Sequence, residues 1–268
     1  MADRRVHILF GGGIGMDKDW VSGTLETRAT RQNRNLPATW YPAPVVSALV
    51  EDANGTILFD TGAPRDWEER WGPVGLADVA PYEFVEEDQY LDSRLEQLGV
   101  APADVDIVVL SHLHFDHAAN ASMFAGGDTR VLVHTDELAA GLAFEGDFAY
   151  GNLKADYEHL DMETVEGDLD LIPGVRILEV PGHTPGTIAM AVDMANDRNL
   201  LFASDAIFMQ ENIGPPHSCG LSVGDHGLWA QSVDKLIDYS ERNDALIVFG
   251  HDADQIPDLK LAPDAFYT

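Results

Sequence analysis

Residues 111–117 read Ser111-His112-Leu113-His114-Phe115-Asp116-His117. Three histidines and one aspartate fall within six positions, directly after the apolar run Ile107-Val108-Val109-Leu110. That run reads as a buried strand. Core packing does not account for four ligand-type side chains at the end of such a strand. A metal centre does, because neutral imidazole and carboxylate are donors that zinc accepts. The His-x-His pair can present two rings to one ion from a turn, which leaves Asp116 and His117 to face a second.

The same grammar recurs along the chain. Val180-Pro181-Gly182-His183, Phe202-Ala203-Ser204-Asp205 and Phe249-Gly250-His251 each place a histidine or aspartate just after an apolar strand. The candidate ligands are therefore His112, His114, Asp116, His117, His183, Asp205 and His251. His7, His134, His159, His217 and His226 lack that context and read as structural.

Strands are expected at Val6–Phe10, Pro44–Val50 and Thr56–Asp60, the last two forming a hairpin turned at Asn54-Gly55. Further strands are expected at Arg130–His134, Val175–Val180, Thr187–Asp193, Asn199–Ser204 and Ala245–Phe249. The cluster Gly11-Gly12-Gly13-Ile14-Gly15 has a superficial likeness to a dinucleotide loop. No apolar helical period follows it, so it reads as an ordinary loop. Residues 28–44 read as a long irregular arm whose aromatic part, 36–44, suits either a subunit contact or a fold-back onto its own domain; residues 63–86 read as loop. Helices are expected from about Asp88 to Leu98, stopped by Gly99, and around Trp229, Val233, Leu236 and Ile237. No linker or low-complexity segment interrupts the chain. Its two βα-rich halves suggest a single domain over 1–268 with four α/β/β/α layers.

A formal charge of −30 over 268 residues repels phosphate backbones and anionic lipid, which argues against nucleic acid and membrane partners. The lone cysteine, Cys219, excludes an internal disulfide. The N-terminus lacks a signal-peptide core and no apolar run reaches membrane-spanning length, so a cytoplasmic protein is expected.

His112-x-His114-x-Asp116-His117, followed by His183, Asp205 and His251, resembles the metallo-β-lactamase superfamily over nearly the whole chain. Asp60-Thr61-Gly62 matches that family's early strand-end motif. The resemblance implies an αββα sandwich and a site for two Zn2+ ions, with other divalent metals able to replace them. His112, His114 and His183 would hold one ion; Asp116, His117 and His251 would hold the other. Asp205 would bridge them together with a hydroxide, and Asp60 would buttress the metal loop from behind.

Within the superfamily, Cys219 does not take the place of Asp205, as a zinc β-lactamase cysteine ligand would. His114 stands where the di-iron flavoprotein branch has glutamate. The short stretch after His251 leaves no room for the basic glutathione-binding region of glyoxalase II, and the charge disfavours RNA processing. The chain most resembles the N-acyl homoserine lactone lactonases, the quorum-quenching group, through Asp60 to Trp67, Ser111 to His117, Glu166-Gly167-Asp168, Pro173-Gly174-Val175, Pro181 to Gly186 and Phe249 to Asp252.

That resemblance implies ring opening of a small lactone by the bridging hydroxide. Asp205 would serve as the shared ligand and Asp116 would protonate the leaving oxygen. A different lactone, ester or cyclic amide is the alternative substrate, and a thioesterase or phosphodiesterase the remoter one. Phe115 and Phe208, tied to the metal motifs, are candidate substrate contacts. Met16, Trp20 and Trp40 are further candidates for an apolar channel. These lactonases usually carry a tyrosine three residues after the bridging aspartate, where this chain has Phe208. A phenyl ring donates no hydrogen bond, and one lost oxyanion donor costs roughly 2.7–4 kcal/mol. The expected assembly is a monomer or homodimer.

Overall fold

The computed structural model describes residues 4–23, 29–214 and 216–268; Arg28, at the start of the expected arm, lies outside them. Two β-sheets face each other. The first has strand order β1 (Arg5–Asp17), β2 (Trp40–Asp52), β3 (Gly55–Phe59), β4 (Ile107–Val109), β5 (Arg130–His134) and β8 (Glu163–Val165). The second has β13 (Ala245–Phe249), β12 (Asn199–Ser204), β11 (Ile188–Val192), β10 (Val175–Glu179) and β9 (Leu169–Ile172). A small hairpin, β6 (Phe148–Ala149) with β7 (Asn152–Leu153), stands apart from both.

Alternation along the strands builds the layers. Val6, Ile8, Val50, Ile57, Val109 and Leu132 of the first sheet meet Val175, Ile177, Met190, Leu200, Phe202 and Val248 of the second in one apolar cluster. The opposite face of the first sheet, with Leu49, Leu58, Val108 and Val133, is covered by Leu91 and Leu95 of α3 (Leu91–Leu98). The opposite face of the second sheet, with Leu178, Ala189, Leu201 and Ala203, is covered by Trp229, Val233 and Leu236 of α5 (His226–Asn243). The order helix, sheet, sheet, helix is the expected αββα sandwich. No helix among the described residues is long and apolar enough to cross a membrane.

Several sequence expectations are corrected. Residues 11–15 are strand, not loop: β1 continues through them, with a register shift against β2 between Phe10 and Gly13. The glycines admit a crossing segment, since Gly13 and Phe84 exchange backbone hydrogen bonds of 2.8 and 3.0 Å. A Cβ on Gly12, at φ +81°, would lie 2.6 Å from the Phe84 carbonyl oxygen. The end of the expected arm, from Trp40, belongs to β2, and the Trp40 indole donates to Glu83. Residues 63–86 contain two short helices, α1 (Trp67–Trp71) and α2 (Leu76–Val79), and α3 begins at Leu91 rather than Asp88. The unexpected helix α4 (Thr135–Ala143) follows β5.

Strands β3 and β4 run parallel, as do β12 and β13. Their C-terminal ends, with that of β10, deliver Asp60, the 111–117 segment, His183, Asp205 and His251 to one rim. The two sheets are stitched there. Ile188 N–H donates to the Ser111 carbonyl at 2.9 Å, and the Ser204 hydroxyl donates to the Ser111 hydroxyl at 2.8 Å.

Candidate metal centre

All seven predicted ligands converge, each no more than 8% exposed. They form two groups, His112, His114, His183 and Asp205, and Asp116, His117 and His251; within each, one donor atom per residue lies within 4.8 Å of the others. Asp205 joins the groups through its two oxygens. Oδ2 lies 3.2 Å from His183 Nε2 and 3.7 Å from His112 Nε2. Oδ1 lies 3.2 Å from His117 Nε2 and 3.1 Å from His251 Nε2. Asp116 Oδ2 stands 3.6 Å from the same two ring nitrogens.

The outer partners fix which ring nitrogen faces inward. The Pro44 carbonyl can only accept, so His251 donates from Nδ1 at 2.8 Å and turns its Nε2 inward, toward Asp205. His117 Nδ1 donates to Asp60 Oδ2 at 2.8 Å. The Ser111 hydroxyl donates to Asp60 Oδ2 at 2.8 Å and accepts from Ser204 and from His112 Nδ1, the latter at 2.9 Å. One donated and two accepted bonds use the capacity of that hydroxyl. His114 is reversed: its Nδ1 faces His183 Nε2 at 2.9 Å, and the Tyr150 backbone carbonyl holds the ring from the other side.

Burial keeps His112 and His114 well below the usual histidine range and His183 at about 4, the neutral form a metal binds. Burial opposes protonation of His117 too, but the carboxylates of Asp116, Asp205 and Asp60 push it up. Burial would raise Asp205, yet His251, His117, His183 and His112 around it hold it well below the usual carboxylate range. Burial raises Asp116, partly offset by His117 and His251.

Among the described residues, His117 Nε2 and Asp205 Oδ1 are buried and find no well-formed hydrogen bond, although they face each other at 3.2 Å. Buried polar atoms seldom stay unpaired, and both point to the place where the ligand atoms converge. Five imidazoles and two carboxylates suit zinc or a similar divalent ion, so the residues fit the two-metal group expected from sequence.

Residues 40–251 match the model of the metallo-β-lactamase superfamily. The chain belongs to the metallo-β-lactamase superfamily. It is 31% identical over 280 residues to the N-acyl homoserine lactonase AiiB of Rhizobium rhizogenes, covering 98% of this chain and 99% of that one. It is 29% identical over 268 residues to the N-acyl homoserine lactonase AiiA of Bacillus thuringiensis subsp. kurstaki, with 98% and 99% coverage. Among solved structures it is similar to an N-acyl homoserine lactone hydrolase with the product N-hexanoyl-L-homoserine at its catalytic metal centre, at TM-score 0.83, 26% identity and full coverage of both chains.

In this member of the superfamily, Phe208 reaches the centre. Its buried ring is edge-on to His183 at 5.2 Å and stacked with His251 at 6.1 Å. Phe115 packs edge-on against Trp71 at 4.9 Å. Met16 lies in the apolar cluster that also holds Phe208, whereas Trp20 is exposed on a short turn closing β1. The Tyr41 hydroxyl, bonded to the His251 carbonyl and the Ala253 amide, and that of Tyr82, bonded to the Gly11 carbonyl, are both committed.

Ser111, Ser204, Pro44 and Tyr150 support the ligands without having been singled out as site residues. Ser111 and Ser204 directly precede His112 and Asp205, so their hydroxyls lie within reach of the site. Pro44 and Tyr150 act through backbone carbonyls, which carry no residue-type signal. Ser204 and Asp60 have positive φ, 47° and 60°, strand-end conformations that turn the following loops toward the rim.

Proposed function

We propose that the chain opens the ring of a lactone, with N-acyl homoserine lactone as the first substrate, at a centre of two divalent metal ions, zinc in the first instance. His112, His114 and His183 would hold one ion, Asp116, His117 and His251 the other, and Asp205 both. The observation that carries this reading is the division of the Asp205 carboxylate, one oxygen toward His112 and His183 and the other toward His117 and His251. The full-length similarity to N-acyl homoserine lactonases supplies the substrate class. Bound ions would lower the pKa of a shared water and polarise the lactone carbonyl. Asp205 fixes the spacing of the two ligand groups. Asp116, a buried carboxyl facing His117 and His251, is assigned to carry the proton to the ring oxygen as it leaves. Phe115 and Phe208 would border the bound acyl lactone. Met16 and Trp20 remain further candidates for its chain, and the protein would act in the cytoplasm as a monomer or homodimer.

Phe208 favours a second reading, a hydrolase of a different lactone, ester or cyclic amide. Its ring lies against two metal-ligand histidines and brings no hydroxyl to a substrate carbonyl. Comparing kcat/KM across N-acyl homoserine lactones, aliphatic lactones, aryl esters and cyclic amides separates the two. Highest values on acyl homoserine lactones support the first reading; preference for another group replaces it with the second.

A further inference from the structure

The metal centre has a carboxylate brace on each side, and only one of them, Asp60, belongs to the expected motif set. The other is Glu137. It is the third residue of α4 and 1% exposed. A carboxylate at that helical position ordinarily turns back to cap its own helix. Here both oxygens leave the helix. Oε1 accepts the Leu113 amide at 3.0 Å and Oε2 accepts the Gly186 amide at 3.1 Å. The Thr184 side chain adds a third hydrogen bond. Leu113 lies between His112 and His114, while Thr184 and Gly186 lie in the loop that carries His183. One buried side chain thus clasps the two loops that supply all three histidines of one ligand group.

The contact is built tightly. A Cβ on Gly186 would lie 2.4 Å from the Glu137 amide nitrogen, so only glycine lets the first turn of α4 dock on the His183 loop. A Cβ on Gly141, one turn further on, would lie 2.9 Å from Leu113 Cδ1. By contrast, Asp60 binds His117 of the second group directly and reaches the first group only through the Ser111 hydroxyl, which also meets His112.

We propose that Glu137 is a positioning residue that sets the spacing between the His112/His114 turn and His183, and so the metal affinity of that pocket and not of the Asp116/His117/His251 pocket. This rests on the two-metal reading above. Glu137→Gln keeps the shape but presents an NH2 to one of two amide donors, so one clasp is lost.

The test is a chelator titration of zinc-loaded wild-type protein and Glu137→Gln. It counts ions retained per chain and follows the histidine ring signals by NMR. We expect the variant to release one ion at a chelator concentration at least about tenfold lower than wild type, as loss of an outer partner does. Signals of His112, His114 and His183 should revert to their metal-free positions while those of His117 and His251 stay loaded. Parallel release of both ions, or release unchanged from wild type, overturns the proposal. If Glu137→Gln does not fold, Glu137→Asp, which keeps the charge but is too short to span both amides, should show the same selectivity, and its failure to do so is equally fatal. A wild-type chain holding fewer than two ions overturns the two-metal reading, and this inference with it.

Discussion

Asp60 and His117 meet at 2.8 Å, a carboxylate oxygen against ring Nδ1, and this contact leaves His117 Nε2 facing Asp205 Oδ1 at 3.2 Å. The same carboxylate receives the Ser111 amide and hydroxyl, so one buried side chain orients both the start and the end of the 111–117 segment. Asp60→Asn keeps the size but cannot accept all three donors. We expect metal affinity to fall roughly 10–100-fold, read as zinc retained on dialysis against a buffered chelator. Retention equal to wild type removes Asp60 from the scheme.

Phe208 offers the opposite kind of test. Its ring already lies beside His183 and His251. Phe208→Tyr adds a hydroxyl at the position where the sequence resemblance implies one. We expect kcat on N-acyl homoserine lactones to rise by about tenfold or more, with KM changing less, because an oxyanion donor acts mainly in the transition state. A fall in kcat with ion content unchanged would mean that the pocket is shaped for a different substrate.

Gly182, beside the candidate ligand His183, has φ +134°, and a Cβ there would lie 2.3 Å from the Trp229 amide nitrogen. Backbone against backbone cannot yield as a flexible side chain would. Gly182→Ala is expected to cost about 3 kcal/mol or more in urea unfolding and to weaken zinc binding with it. A loss below about 1 kcal/mol would show that the His183 loop is not pinned to α5 in this way.

Asp156 supplies a pH signature. It is buried against Arg70, which also donates to the Ala119 carbonyl just beyond the 111–117 segment. Burial raises its pKa from 3.8 to about 6, and Arg70 only partly offsets the shift. A folded-state pKa above the unfolded one means that the group's stabilising contribution is complete below pH 3.8 and is lost as the pH rises through about 6. At roughly 1.4 kcal/mol per pKa unit, that loss is about 3 kcal/mol. On going from pH 4 to pH 7, the unfolding free energy of Asp156→Asn should therefore move in the stabilising direction, relative to that of wild type, by an amount of that order. Equal differences in the two proteins would contradict it.

The convergence of the seven candidate ligands could be read from sequence because the segments that carry them follow apolar strands, a pattern that places them at a sheet rim before any coordinates exist. The clasp between Glu137 and the ligand loops could not. It joins residues far apart in the chain through backbone amides, and one glutamate in a helix looks like any surface acid. Helix α4 was hidden for a related reason: Gly141 lowers its helical propensity, yet is required where α4 presses on Leu113. The strand through Gly11 to Gly15 was hidden because those glycines answer to the crossing at Phe84, a contact local pattern does not reveal.

The central claim is that two divalent ions, held by seven buried histidines and aspartates, enable this chain to open lactones. The most direct measurement is acid release from a panel of N-acyl homoserine lactones, followed by pH indicator on zinc-loaded protein, chelator-stripped protein and stripped protein given zinc again. We expect release from the loaded protein, none after stripping, and recovery on zinc addition at two ions per chain. Acid release that persists after both ions are removed, or none from protein holding both, would contradict the claim.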